Sequence, residues 1–535
     1  MPDLDQFCRD CRKLGIRIST EGFERYLQDE SRMRGNASAM VRVCNEFDVV
    51  ETVRLANRWR IPLTVVSGKT SLTGASVPLG GVILDVSDLD RIDAEDPCVA
   101  GPGIVLKRYK ELVNAAGLFY PPDPTSEDSC TLGGNVACNA SGPLSYLYGP
   151  TRDYIQGMKI VLPAGPVLEI RRGQVTSHRG LVTIPAKMTT PHLQEDLAIP
   201  VPTSRNMDWN YCKNTVGLFS AEPLDLVDLF IGTEGITGVL VQVETKLLQR
   251  RNPFFSLMLY LPSRGLATEC VKLLYNLKQV FRDERPVALQ DVRKALSSIT
   301  GSADPPSAED FRFVIPSCME WLGSSVGPLL PPDRSARLHD SYGCLYVEQE
   351  YDDPEDLFVR ISQWSDLVEL FNRGRLTGES RRVETEVAHD ETAIRKMKKD
   401  RQSVPEKLNE SIRPGMVKVA ADFAVPRDRI DDLLRMYDEQ LPAGKSYVFG
   451  HIGNAHLHAN IIAENREELE EYRMLLRRMS ETICGMGGSI SGEHGIGKLK
   501  RESLELMVGK EGLAEIRTIK ALLDPHLILN RGNIV

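Results

Sequence analysis

Two apolar runs of strand-like composition, residues 61–66 and 82–86, are joined by Ser67-Gly68-Lys69-Thr70-Ser71-Leu72-Thr73-Gly74. A Rossmann nucleotide site needs G-x-G-x-x-G between a strand and a helix, so that the pyrophosphate rests on the helix N-terminus. Here the loop leads from strand to strand, and that fingerprint is missing from it. A helix stands before the first strand, because Val49, Val53 and Ala56 recur at helical spacing. Two further small-residue stretches follow, Gly101-Pro102-Gly103 and residues 131–142. Glycine tolerates positive φ and close backbone approach, so such turns can aim several amides at phosphate oxygens. The chain therefore has the means to hold a nucleotide, but not on a Rossmann fold.

The remaining organisation is that of a large folded protein. Its 535 residues suggest three to four domains or two large ones, at roughly 150 residues each. Hydrophobic residues make up 42% and charged residues 26%, which argues against disorder. A net charge of −9 gives no footprint for nucleic acid. No apolar stretch is long enough to span a membrane and the first residues lack a signal-peptide pattern, so a cytoplasmic protein is expected. The 11 cysteines are scattered and odd in number, which suits reduced thiols. Cys8 and Cys11 lie one helical turn apart and read as packing residues; no cysteine run exists to hold an iron–sulfur cluster.

Residues 173–210 and 301–335 are proline-containing and aperiodic, and read as irregular excursions. Elsewhere in the second half, strand-like segments (256–261, 342–348, 418–425) alternate with helical ones (265–280, 354–373, 429–441). That pattern predicts an α+β domain.

Histidine supplies the sharpest chemical signal. Of nine, His451, His456, His458, His494 and His526 fall in the last 85 residues. Strand alternation over residues 455–461 puts Ala455, Leu457, Ala459 and Ile461 on one face, and His456, His458 and Asn460 on the other. An amphipathic helix over 467–484 then leads to Gly487-Gly488-Ser489-Ile490-Ser491-Gly492-Glu493-His494-Gly495, which sets Glu and His side by side in a glycine frame. Imidazole and carboxylate donors suit Zn, Mn or Fe, which acidify a bound hydroxyl, and a neighbouring neutral His can take the proton.

With these residues in view, the chain resembles the FAD-dependent D-2-hydroxyacid dehydrogenases: D-lactate dehydrogenase, the glycolate oxidase flavin subunit and D-2-hydroxyglutarate dehydrogenase, flavoproteins of the vanillyl-alcohol-oxidase type. The motifs that carry the resemblance are the 67–74 loop, Tyr120-Pro121-Pro122-Asp123-Pro124-Thr125-Ser126, Gly133-Gly134-Asn135, Gly149-Pro150-Thr151-Arg152-Asp153, Gly232-Thr233-Glu234-Gly235 and Leu529-Asn530-Arg531-Gly532. It implies an α+β fold: a two-subdomain FAD-binding domain over 40–252 with its insertion at 173–210, an α+β cap over 253–450, and a segment 451–535 returning to the FAD domain. Residues 1–39 would be a helical extension. It also implies FAD contacts from Ser67, Gly68, Lys69, Thr70, Ser71, Leu72, Pro122, Asp123, Thr125, Ser126, Gly133, Gly134, Asn135, Asn139, Ala140, Gly142, Gly235, Ile236 and Asn530.

By the same resemblance His451, His458 and Glu493 bind a divalent metal, His494 is the base, and Arg401 receives the substrate carboxylate, with Lys418, which opens the following strand, as a second candidate cation; the other reading makes Lys396, Lys398, Lys399 and Arg401 one solvated helix face. The substrate hydroxyl would lose its proton to His494 while the α-hydrogen passes as hydride to the flavin. Strand geometry pairs His456 with His458, whereas the family pairs His451 with His458; the family assignment is followed, with a turn at Gly453 bringing His451 round and His456 behind the ligands. His456 stands where the family frequently has Asn, Lys69 interrupts the usual glycines of the first loop, and Arg531 replaces a usual Pro. No His lies in the first loop, so the FAD is expected to be non-covalent. Electrons would pass to an external acceptor: an electron-transfer flavoprotein, a quinone or an iron–sulfur subunit, through which the protein could associate with a membrane. A homodimer stays open. Two alternatives are an alkyl-dihydroxyacetonephosphate synthase-like flavoenzyme, whose triple-His segment is here Gly492-Glu493-His494, and a non-catalytic flavin-binding subunit of a redox complex.

Overall fold

The strand–loop–strand unit forms as its composition dictates. Asn45 caps the helix Glu46–Trp59 by accepting a hydrogen bond from the Asp48 amide at 2.9 Å, and Val49, Val53 and Ala56 are buried beneath it. In this computed structural model, which describes residues 3–203, 211–373 and 382–535, the strands Leu63–Val66 and Val82–Asp85 pair in parallel, with Ala39–Arg42 parallel to the latter. The expected helical extension is only partly helical. Leu4–Lys13 is a helix that packs Phe7, Cys8 and Cys11 into the same core, but Arg17–Ser19 pairs antiparallel with Ala39–Arg42 and closes a four-stranded sheet. Three residues are too few to display a strand period.

A second, five-stranded sheet runs Thr189–Thr190, Val167–Arg171, Ile155–Val161, Val239–Thr245, Val99–Ala100, all antiparallel. The excursion from 173 is more ordered than its prolines suggested, since Leu181–Ile184 pairs with Leu197–Pro200; positions 204–210 lie outside the described residues. The chain end returns to the first sheet: the Leu63 amide donates to Ile528 O at 2.7 Å and the Asn530 amide to Leu63 O at 2.8 Å.

The largest sheet has seven antiparallel strands in the order Glu384–Ala388, Phe254–Leu261, Gly343–Glu350, Cys318–Gly323, Ser446–Gly450, His456–Ala463, Val417–Ala424. Its core face buries Leu457, Ala459 and Ile461 under the helices Arg264–Phe281, Ile430–Gln440 and Arg466–Gly485. Two expectations change here. The stretch 301–335 is not wholly irregular, because Cys318–Gly323 is the middle strand; its six residues are all buried, so no alternation marked it. The sheet also continues through Ala463, so the expected break at 450 falls inside it. The histidine strand is thus built into the cap.

Candidate active site

The strand Ser446–Gly450 ends at Gly450, whose φ of 144° and tight approach to His458 Cδ2 disfavour a side chain. A short turn, Ile452–Asn454, follows His451, and Ala455 takes φ 50° before the His456 strand begins. The left-handed residue is therefore Ala455 and not Gly453. Gly453 is required for packing, since a Cβ there would fall 2.6 Å from the Tyr146 ring. The turn stacks the His451 ring beside His456, 5.5 Å between centroids, and His456 lies 4.6 Å from His458. The return segment completes the group. Ser489 and Ser491 bridge to Ala424 and Asp422 at the sheet edge, and Gly492 fits against the His456 ring, where a Cβ would come within 2.5 Å.

His451, His456, His458 and Glu493 each offer a donor atom, all within 4.8 Å of one another; Asp422, His458 and His494 form a second, overlapping group. His451 Nε2 stands 3.0 Å from Glu493 Oε2, and His458 Nε2 stands 3.7 Å from it. Two donors sharing one ion at ~2.0–2.2 Å are themselves roughly 3–3.5 Å apart. The His451–Glu493 pair has that spacing and the His458–Glu493 pair slightly exceeds it, so the donor chemistry suits a borderline divalent ion once the side chains close on it.

Buried carboxylates brace this set. Glu320, from the middle strand, accepts from His451 Nδ1 at 2.6 Å and from Arg401 at 2.9 Å. Asp422 accepts from His456 Nε2 at 2.5 Å, from the His494 amide, Ser491 Oγ and Lys500 Nζ at 3.0 Å each, and lies 3.2 Å from His494 Nδ1. Glu493 Oε1 accepts from Lys213 Nζ at 2.6 Å and Ser141 Oγ at 2.9 Å. Burial pushes His451 down, but Glu320 and Glu493 outweigh it and hold it up at about 9. Burial leads in lowering His456 to about 4, and it pushes His458 well below its ordinary value and His494 below it. The Glu493 and Asp422 carboxyls are pushed up by burial but held well below the usual range by His451 with Lys213, and by His494 with Lys500, respectively. His494 is stacked 5.1 Å from His458 and is 28% exposed, so a small molecule can reach it.

Of the expected substrate cations, Arg401 is buried and joined to the cluster through Glu320, whereas Lys418 donates to Asn409 at 2.6 Å. Lys418 lies four residues along its strand from Asp422, about 13 Å at the usual rise.

The small-residue stretches meet at the other side. A Cβ on Gly68 would fall 2.6 Å from Ser129 O, one on Gly133 2.4 Å from Pro102, and one on Gly142 2.2 Å from Asp123 O. Ser67 Oγ and Asn135 Nδ2 are buried without a hydrogen-bond partner, which fits a polar group such as a flavin nucleotide lodged there. Lys69 turns away, donating to Arg25 O at 3.1 Å. Thr73 Oγ1 donates to His494 O at 3.1 Å, linking this loop to the histidine. Among the other expected contacts, Leu72 is exposed, Ser71 Oγ accepts from the Thr73 and Ala75 amides, and Asp123 accepts from the Leu144 amide. Gly134 donates to Thr131 Oγ1, Ala140 O accepts from Thr151, and Asn139 Oδ1 accepts from the Arg152 amide. Pro122 is buried, while Thr125 and Ser126 lie in the turn before the strandless stretch to Cys130. Gly235 abuts the Asn530 amide, and Ile236 O accepts from Lys520.

Asn530 ties the first sheet to the 232–235 turn: its Oδ1 takes the Val65 amide at 2.9 Å and its Nδ2 donates to Glu234 O at 2.8 Å.

A model of the FAD binding domain matches residues 37–171, and one of the FAD linked oxidases, C-terminal domain, matches 333–534, together more than half of the chain. The chain carries an FAD binding domain and the C-terminal domain of FAD linked oxidases. It is an FAD-linked oxidoreductase, and FAD is its cofactor. A D-lactate dehydrogenase of Anaerostipes hadrus is 26% identical, with 100% of this chain and 97% of the relative covered. The glycolate oxidase subunit GlcD of Bacillus subtilis is 24% identical (93% and 88% covered), and the mitochondrial D-2-hydroxyglutarate dehydrogenase of Bos taurus 26% (93% and 77%). A solved alkyldihydroxyacetonephosphate synthase superposes with a TM-score of 0.62 at 14% identity, covering 99% of this chain and 84% of that one, which places the fold in the vanillyl-alcohol-oxidase type. Among the described residues no helix is long and apolar enough to cross a membrane.

Sequence reasoning passed over Glu320, Asp422, Lys213, Lys500 and Ser141. Only Asp422 left a usable signal, as a lone acid within the strand-like run 418–425.

Proposed function

We propose that this flavoprotein is a metal-assisted dehydrogenase of D-2-hydroxy acids, of the lactate, glycolate or 2-hydroxyglutarate kind, yielding the 2-oxo acid. The observation that carries the reading is the convergence of His451, His456, His458 and Glu493 within 4.8 Å, with an accessible His494 beside them. The names of the relatives support the substrate class.

His451, His458 and Glu493 would hold the divalent ion, while Ser67, Gly68, Gly133, Asn135 and Gly142 would line the flavin nucleotide, held without a covalent link. When bound, the ion supplies a Lewis acid beside the hydroxyl and the flavin supplies a two-electron acceptor. Asp422 holds His494 by its backbone amide and lies 3.2 Å from its Nδ1, a carboxylate that would keep the ring proton on that side and leave Nε2 to take the hydroxyl proton. Arg401 lies behind His451 through Glu320 and would pair with the substrate carboxylate, which is costly to bury unpaired. Electrons would leave to an external acceptor: an electron-transfer flavoprotein, a quinone or an iron–sulfur subunit.

One contact favours a second reading. The Lys213 ammonium, its side chain fully buried, sits 2.6 Å from Glu493 and could itself be the cation beside the hydroxyl, with no ion required. Anaerobic mixing with D- and L-2-hydroxy acids separates the two. Bleaching of the flavin by a D-acid, lost on chelation and restored by Zn²⁺ or Mn²⁺, is the expected result. Bleaching indifferent to the chelator selects Lys213, and no bleaching by any 2-hydroxy acid removes the substrate class.

A further inference from the structure

We propose that His456 is a fourth protein donor to the ion, binding through Nδ1 while Asp422 holds its Nε2–H. The inference rests on the metal site proposed above and concerns a residue which that site does not need. The His456 side chain is fully buried on the strand His456–Ala463, and its Nε2 lies 2.5 Å from Asp422 Oδ1. A hydrogen bond to that carboxylate puts the ring proton on Nε2 and leaves a lone pair on Nδ1. Nδ1 is buried and accepts no hydrogen bond. The ring cannot swing away to find one, because Gly492 packs so closely that even a Cβ would lie 2.5 Å from His456 Cδ2, and the His451 ring is stacked beside it at 5.5 Å. One of the two His456 ring nitrogens nevertheless belongs to the group whose donor atoms lie within 4.8 Å of one another.

A carboxylate on one ring nitrogen and an open lone pair on the other is the arrangement by which proteins orient a metal-binding histidine. Three imidazoles and one carboxylate make a nitrogen-rich set that selects Zn²⁺, Fe²⁺ or Mn²⁺ over Mg²⁺ and Ca²⁺. With four protein donors in place, a substrate oxygen would have to add to the set or displace one of them.

The test uses the FAD-containing protein, stripped of metal by dialysis against a chelator and reloaded with one equivalent of Zn²⁺. X-ray absorption counts the imidazoles on the ion: three are expected, and two would overturn the assignment. In parallel, competition with a chromophoric chelator compares wild type with His456→Ala and His456→Asn, the latter keeping an amide that can donate to Asp422. The expected loss of Zn²⁺ affinity is roughly a hundredfold or more in both, at or above what losing a mere supporting partner causes. Affinity unchanged in the Asn variant, with flavin content and circular dichroism retained, overturns the proposal while leaving the three-ligand site standing. Failure of wild type to take up Zn²⁺ at all removes the metal site and this proposal together.

Discussion

Glu320→Gln probes the joint between the carboxylate-binding arginine and the metal ligands. The wild-type carboxylate is buried at 3% exposure and shared by two partners, His451 Nδ1 at 2.6 Å and Arg401 at 2.9 Å. A neutral amide is nearly isosteric, so no cavity opens, but the Arg401 guanidinium loses its counter-charge while remaining 8% exposed. Breaking a buried pair from one side costs about 3–5 kcal/mol. For a domain of the cap's size, each kcal/mol moves the thermal midpoint by about 2–4 °C, so a fall of roughly 6–20 °C is expected. The amide keeps one acceptor oxygen for two donors, so His451 and Arg401 compete for it, the imidazole is held less firmly, and Zn²⁺ affinity should drop about 10–100-fold. Differential scanning fluorimetry and chelator competition read the two effects. Combining Glu320→Gln with Arg401→Leu, which removes the stranded charge, should recover part of the stability, because contacting residues are not additive. A midpoint within 2 °C of wild type, or strictly additive losses in the double variant, would refute the reasoning.

Two further outcomes concern His494 and a separate buried carboxylate, Glu348. His494→Ala should keep its flavin absorbance yet lose anaerobic bleaching by the D-2-hydroxy acid by about 10²–10⁴-fold, the range for general-base removal; unchanged reduction in stopped flow takes His494 out of the mechanism. Burial pushes the Glu348 carboxyl up, but Lys398 and Arg251 outweigh it and hold it down at about 2, against an ordinary 4.5. A carboxyl depressed in the folded state stabilises above its unfolded value, so the ~3 kcal/mol that Glu348 contributes should be constant above pH 4.5 and fade between about 4.5 and 2; urea unfolding of wild type and Glu348→Gln across pH 3–7 checks that their gap narrows only below 4.5.

Much of this architecture was legible because its elements carry their own periods. The helix Glu46–Trp59, the strands flanking the 67–74 loop, and the two-faced strand with Leu457 and Ile461 inside and His458 on the opposite face follow from spacing alone. Glu320 stayed hidden because a strand buried on both faces has no alternation, and Cys-Met-Glu-Trp-Leu-Gly lacks the β-branched residues that would have betrayed it. Lys213 and Ser141 reach Glu493 from hundreds of positions away, and nothing local in a sequence records a contact made by folding. The turn at Ala455 was misplaced for a related reason: glycine is the default at positive φ, and here a close neighbour had claimed the glycine at 453.

The dipeptide Glu493-His494 is sewn to both bodies at once. On one side the cap strand holds it, through Asp422 and the His494 amide at 3.0 Å. On the other, Glu234 of the flavin-binding half accepts the Ile496 and Gly497 amides at 2.6 and 2.7 Å. A hinge that swung the two halves apart would have to break one of these sets of hydrogen bonds. The position of His494 is therefore set jointly by the cap and the flavin-binding half.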